Sequence, residues 1–285
     1  MQRRTAVGAL AGAMQMALPA WAAAITEPLR IGLTPVILAD QLAFLSRWSR
    51  YLSDKTGTEV RFVARESYQS ILDLLFGGQV DAAWICGFPY VRFQSSLSLL
   101  NVPLYQSAPT YQAYLIRSRS TPIVVRGWAD LAGKALAYSD PLSNSGWLVA
   151  QAQLAMAGVS PKDLRRSFFA YGHRNVAEAV AAGLAQAGSI DGYVWETMQK
   201  QGMSAVEQTQ IVWKSEPFGF PPIVALKNTK NTALPVLQKV LNEMDFDPKG
   251  RELLGALNLT GFSPGADSLF ESIRKQAKTV LASGV

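Results

Sequence analysis

From Leu29 onward the chain alternates between two patterns. Short apolar runs fit buried strands, and longer stretches have apolar residues at helical spacing. Residues 29–33 form the first apolar run, closed by Thr34-Pro35. Leu42, Leu45, Trp48 and Leu52 then fall on one helical face, and Gly57 supplies a stop. A strand over 60–63, a helix over 68–76 ended by Gly77-Gly78, and a strand over 80–85 follow. The pattern restarts further on: strand 135–138, helix 146–156, strand 167–170, helix 175–184 and strand 190–194. The Pro- and Gly-rich stretch 217–222 reads as a connection. A return strand over 223–226 and helices over 234–244 and 250–257 complete the series.

Strand–helix alternation of this kind predicts an α/β fold with mainly parallel sheets covered by helices. It occurs in two blocks, which implies two doubly wound lobes. A short internal similarity supports this: Gly78 with Gly188, Val80 with Ile190 and Asp81 with Asp191 align at one offset. The expected division is residues 29–120 plus 221–285 for one lobe and 121–220 for the other. The chain is expected to cross between lobes near 119–126 and 218–222. Two such lobes make a clamshell that brings two sets of carboxyl strand ends, where open α/β sheets bind ligands, face to face.

The first 22 residues are of a different kind. Arg3 and Arg4 precede an uncharged apolar run over 5–18, Pro19 breaks it, and Ala20-Trp21-Ala22 gives a small-x-small pattern. This predicts a signal peptide cleaved near Ala22 and export to the periplasm. An uncleaved anchor is the alternative. Ala6 and Gly8 stand where a twin-arginine signal usually has Phe and Lys, which favours the ordinary secretory route. No Cys follows the apolar run, so no lipid anchor is expected. Removing Arg3 and Arg4 lowers the net charge from +6 to +4, spread without a Lys/Arg run. That argues against nucleic acid as a partner and suits a small anion. Cys86 is the single cysteine, so no internal disulfide can form.

Candidate chemistry gathers at the expected strand ends. Ser143, Asn144 and Ser145 follow a strand and open a helix, and all three are good N-cap residues. A helix start carries unpaired N–H groups and partial positive charge, so it binds anions readily. Plain capping is the alternative. His173, the only histidine, also follows a strand and precedes a helix, on the same rim. Thr34, Tyr68, Trp84, Cys86, Trp195 and Glu196 sit at strand ends or helix starts and complete the candidate ligand-binding set. Cys86 reads either as a small buried hydrophobe or as a soft thiolate ligand. Enzymatic signatures are absent. No serine lies in a Gly-x-Ser-x-Gly elbow. One His and one Cys do not supply zinc spacings, and no cofactor is implied. Residues 127–135 approach a phosphate loop but are one residue too long, with Ala135 at the magnesium-binding position.

Four segments in order carry a resemblance: VDAAWICGFPYV, SDPLSNSGWLV, YGHRNVAEAV and IVWKSEPFGFPPIVALK. Together they resemble the phosphonate-binding periplasmic proteins of ABC transporters, over residues 29–264. The resemblance implies a type II periplasmic-binding-protein fold. It also implies an oxyanion held by Ser143, Asn144 and Ser145 and completed by His173. Members that bind aminoalkyl phosphonates have a Pro-Gly-Asp-Pro turn, and here Pro221 stands where the acid would be. The expected ligand is therefore phosphite, phosphate or a short alkyl phosphonate. The expected partner is an importer's permease, with the binding protein acting as a monomer. A sensor that binds arsenite through Cys86 and signals to a histidine kinase is the first alternative. A hydrolase or transferase on the same fold is the second.

Overall fold

The structure, a computed structural model, describes residues 27–35, 42–120 and 124–282. The expected signal peptide lies outside the described residues. No helix among the described residues is long and apolar enough to cross a membrane.

The first block contains strands β1 (Leu29–Leu33), β2 (Val60–Ala64), β3 (Ala82–Trp84) and β4 (Leu97–Leu104). Between them lie helices α1 (Leu42–Thr56), α2 (Tyr68–Phe76) and α3 (Gly87–Phe93). A short β5 (Thr110–Tyr111) leads into the second block. There, β6 (Ala113–Ser118), β7 (Ala135–Tyr138), β8 (Arg166–Phe169), β9 (Ala187–Asp191) and β10 (Thr209–Lys214) form the strands. Helices α4 (Val149–Met156), α5 (His173–Ala181), α6 (Gly192–Lys200) and α7 (Ser204–Glu207) join them. The chain returns through β11 (Phe218–Gly219) to β12 (Ile223–Leu226), α8 (Ala233–Asn242), α9 (Pro248–Ala256), β13 (Gly261–Pro264) and α10 (Glu271–Ala282).

Two large sheets result, in the orders β13-β4-β12-β3-β1-β2 and β10-β6-β9-β7-β8. Each has a parallel heart, β3-β1-β2 and β9-β7-β8, as the doubly wound expectation requires. Antiparallel strands flank both hearts, so the sheets are mixed rather than mainly parallel. The chain passes to the second sheet earlier than expected. β6 already belongs to the five-stranded sheet, so the crossing falls at β5 and not near 119–126, and the expected boundary after residue 120 shifts accordingly. The outgoing β5 pairs with the returning β11, Tyr111 opposite Phe218, and this two-stranded ribbon joins the lobes.

The internal repeat is real, but its register differs from the expected one. The Asp81 N–H donates to the Arg30 carbonyl, as the Gln186 N–H does to Ala135. Arg65 to Leu33 is matched by Ala170 to Tyr138, and Gly78 to Leu75 by Gly183 to Val180. Each pair is 105 residues apart. Asp81 and Gln186 also use their side chains alike, accepting from Arg30 N–H and Ala135 N–H. The counterpart of Gly78 is thus Gly183; both end helices with positive φ, +66° and +74°. Gly188 instead lies inside β9, where a Cβ would fall 2.5 Å from Val176. At the same spacing Thr34 corresponds to Ser139, Tyr68 to His173, and Cys86 to Asp191.

Candidate functional site

The strand ends of both sheets and the helix starts that follow them face one another. After β7 the chain turns at Asp140, whose Oδ1 accepts the Leu142 N–H at 2.8 Å. Its Oδ2 accepts the Tyr68 N–H of the first lobe at 3.1 Å, tying the two edges together. Helix begins earlier than the expected residue 146. Asn144–Leu148 form a π-helical turn that runs into α4. Ser143 is its N-cap: the Ser143 Oγ accepts the Gly146 N–H at 3.0 Å. Capping therefore accounts for that side chain's acceptor role.

Other polar atoms in this turn lack partners. Ser139 Oγ, Asn144 Oδ1 and Ser145 Oγ are buried and make no hydrogen bond within the protein. A buried polar atom without a partner costs about 1–3 kcal/mol, so three such atoms, two hydroxyls and an amide oxygen, in one loop call for an explanation. Gly146 explains their closeness. A Cβ there would lie 1.8 Å from Ser139 Oγ, so only glycine lets the turn fold onto Ser139. The Asn144 Nδ2 donates to the Tyr111 hydroxyl at 3.0 Å, which brings the β5 ribbon into the same cluster. Burial raises the Tyr111 phenol well above its ordinary pKa, so it stays a proton donor.

His173 opens α5 and is buried. Its Nδ1 accepts the Asp191 N–H at 3.1 Å, so the ring proton sits on Nε2. Nε2 lies 3.2 Å from the Tyr68 hydroxyl and donates to it. The Tyr68 proton is thereby left for another acceptor. Burial pushes the His173 pKa down to about 3, so the imidazole is neutral at neutral pH. Both ring nitrogens are occupied, which leaves none to activate Ser145 as a nucleophile. Two residues that are counterparts in the repeat, Tyr68 and His173, thus meet across the lobes.

Cys86 ends the same edge of the first lobe. Its Sγ accepts the Asn144 N–H at 3.2 Å, so it sits against the 143–145 loop while being almost fully buried. Burial pushes its thiol up to about 11, so it is not a thiolate. That argues against the arsenite-ligand alternative. Thr34 is buried at the end of β1, and its hydroxyl donates to the Trp84 carbonyl at 3.1 Å.

Three other expected site residues make contacts within the protein. Trp84 points into the first core, edge-on to Trp48 and Phe262, with its indole N–H bonded to the Pro221 carbonyl. Trp195 is on a helix rather than a strand end, because β9 stops at Asp191 and α6 begins at Gly192. Its indole N–H donates to Thr209 Oγ1, and its ring packs edge-on to Tyr114. Glu196, one residue on, accepts the hydroxyls of Tyr105 and Tyr114 and ties the crossing to α6. The apolar run 190–194 misled here, since a buried helix start and a buried strand share that composition.

The sequence reading missed Ser139, Tyr111, Asp140 and Asp191. Ser139 and Asp191 are the counterparts of Thr34 and Cys86, so the correct repeat register would have revealed both. Among the described residues no Lys or Arg side chain belongs to the cluster. Among the described residues no group of His, Cys, Asp and Glu is arranged to hold a metal ion.

The chain matches a family model described as the periplasmic substrate-binding protein of phosphonate ABC transporters, over residues 31–270. Among curated proteins it is similar to the phosphate-import protein PhnD of Mycolicibacterium smegmatis, with 32% identity over 180 residues. That match takes in 59% of this chain and 56% of the relative, so it spans little more than half of that protein's length. In fold the chain is similar to a binding-protein component of an ABC phosphonate transporter from Pseudomonas aeruginosa. That likeness has a TM-score of 0.82 at 19% identity and covers 89% of this chain and 86% of that one. It is also similar to PhnD1 of Prochlorococcus marinus, solved with methylphosphonate: TM-score 0.79, 17% identity, covering 89% and 98% of the two chains.

Proposed function

The chain belongs to the phosphonate family of periplasmic substrate-binding proteins of ABC transporters, and on that premise we propose that it captures a small phosphorus oxyanion lacking a cationic tail. The observation that carries this reading is the pair of unpartnered buried hydroxyls at one helix start. Ser139 and Ser145 hold hydroxyl protons with no acceptor, and the helix over residues 144–156 directs its positive end toward them. Tyr68, its proton released by the His173 contact, is a further donor from the opposite lobe. An oxyanion with three or four oxygens meets such a set; a neutral apolar ligand does not. Charge is offset by helix ends and neutral donors instead of cations, which suits a compact anion enclosed away from water.

Pro221 in place of an acid leaves a ligand amine without a partner in that turn. Phosphate, phosphite and methylphosphonate are thus preferred over aminoalkyl phosphonates. The protein works as a binder, exported with cleavage near Ala22, acting as a monomer and delivering its ligand to a permease. A thermal-shift and calorimetry panel of phosphate, phosphite, methylphosphonate, aminoethylphosphonate, sulfate and arsenite tests this. Ligand at a hundred times Kd stabilises by about 2.7 kcal/mol, readily seen as a raised Tm. A response to arsenite alone, or to none of the phosphorus oxyanions, would refute it.

A further inference from the structure

Resting on that reading, we propose that Asp191 is a specificity-determining residue whose carboxyl shares one proton with the bound oxyanion, so that each complex holds a proton supplied either by Asp191 or by the ligand. The placement follows from the strand. Ser189 Oγ donates to the Ser145 carbonyl at 2.6 Å, which fixes the face of β9 that looks onto the anion loop. Side chains alternate along a strand, so Asp191, two residues on, is directed to that same face at the strand's end. It is buried, and its backbone N–H is the group that fixes the His173 tautomer. Its repeat counterpart, Cys86, touches the loop from the other lobe.

One oxygen has a clear structural duty: Oδ1 accepts the Val194 N–H and caps α6. A cap alone does not explain an acid here, because Ser, Thr or Asn caps as well without burying a charge. Among the described residues the surroundings offer that charge no cation of its own; Lys214 Nζ lies 3.9 Å from Glu196 Oε1 and pairs with that carboxylate instead. Facing it from α5 is His173, which is neutral. From the first lobe come the Tyr68 phenol and the Cys86 thiol, and from the ribbon the Tyr111 phenol, all held protonated by burial. On its own helix Tyr193 is likewise protonated, and Glu196 adds a like charge, its carboxylate bonded to Tyr105 and Tyr114. Burial, with Glu196 adding to it, pushes the Asp191 carboxyl up to about 8.

An acid next to an anion site has two workable states. Protonated, it donates to a fully deprotonated ligand oxygen. Ionised, it accepts from a ligand that brings its own O–H. Two bare anions facing each other are excluded by repulsion in a water-poor site. The ligand class that follows is an oxyanion that retains an acidic O–H or is matched by a protonated Asp191.

Two probes separate the cases. Methylphosphonate loses its last proton near neutrality, whereas phosphate keeps one O–H into strongly alkaline solution. Calorimetric affinities from pH 7 to 10 should fall about tenfold per pH unit above about pH 8 for methylphosphonate. For phosphate they should stay nearly level. In Asp191→Asn, which retains the cap, the methylphosphonate slope should vanish, because the amide donates at every pH. Equal slopes for the two probes in the unaltered protein would overturn the proposal, even if the variant does not fold. So would a methylphosphonate slope that survives in Asp191→Asn. Failure of both probes to bind at any pH would instead overturn the anion reading of the whole site, and this inference with it.

Discussion

At the scale of single residues, Ser143 and Ser145 separate two uses of the same side chain. Ser143 Oγ accepts the Gly146 N–H and so stabilises the helix start. Ser145 Oγ is buried with no partner, which stabilises nothing in the protein alone. The two alanine variants should therefore behave oppositely. Ser143→Ala should cost about 1 kcal/mol of folding stability by losing the cap. Ser145→Ala should leave stability unchanged or slightly raised, and weaken methylphosphonate binding by about 1–3 kcal/mol, the scale of a hydrogen bond to a charged group. Chemical denaturation and calorimetry on both variants check this. Equal loss of affinity in the two, with equal loss of stability, would mean that Ser145 too acts only through the fold. His173 shows the same division of labour. Its Nδ1 accepts the Asp191 N–H and its Nε2 lies 3.2 Å from the Tyr68 hydroxyl. On the proposed function, what it offers the site is a fixed tautomer and a phenol aimed to donate.

At the scale of elements, the 143–145 loop, the proposed anion site, depends on a helix that begins in an unusual way. The π-helical turn at Asn144–Leu148 widens the first turn, and Gly146 at its middle packs its Cα onto Ser139. Gly146→Ala places a methyl group 1.8 Å from Ser139 Oγ, so either the turn or Ser139 must move. That variant should lose about 1–3 kcal/mol of stability, as overpacked sites do, and methylphosphonate binding with it. Restoring room with Ser139→Gly in the same chain should recover stability more fully than binding, because the Ser139 hydroxyl is then missing. Melting curves and affinities of the single and double variants check this. The loop itself was legible from three consecutive cap residues after a strand, and β1, β7, α2 and β12 fall where periodicity puts them. The π turn was not legible, since no residue pattern distinguishes it from an ordinary first turn. Nor was the start of α6, whose apolar residues suit a buried helix as well as a strand. The repeat was visible but misaligned by five residues. Asp81 and Asp191 share a residue type, whereas Asp81 and Gln186 share a hydrogen bond, and only the latter reflects position in the fold.

At the scale of the whole molecule, the question is how a site this buried is reached. The two lobes are joined by the β5–β11 ribbon, and α10 packs against both α3 and α4. Across the facing edges the contacts are both polar and aromatic. Tyr68 reaches Asp140 and His173, Asn144 reaches Cys86, and the rings of Phe88 and Trp147 stack at 6.0 Å. Hinge bending about the ribbon is the motion expected to expose the site. Cys86 reports on it. It is the single cysteine, about 2% exposed, and its sulfur lies against Asn144 of the opposite lobe. In the arrangement seen here a small alkylating reagent cannot reach it, and its thiol, pushed up to about 11, is unreactive. Opening withdraws Asn144 and admits water, which returns the thiol toward an ordinary pKa and makes it reactive. Alkylation of the native protein should therefore proceed at a rate set by the open population and rise with pH between 7 and 9. Saturating methylphosphonate should slow it by the factor by which ligand depletes the open form, while leaving labelling of the denatured chain untouched. Mass spectrometry of the modified peptide over time reads this directly. A labelling rate indifferent to ligand would mean that the lobes do not close over what they bind, and that the clamshell is a rigid pocket.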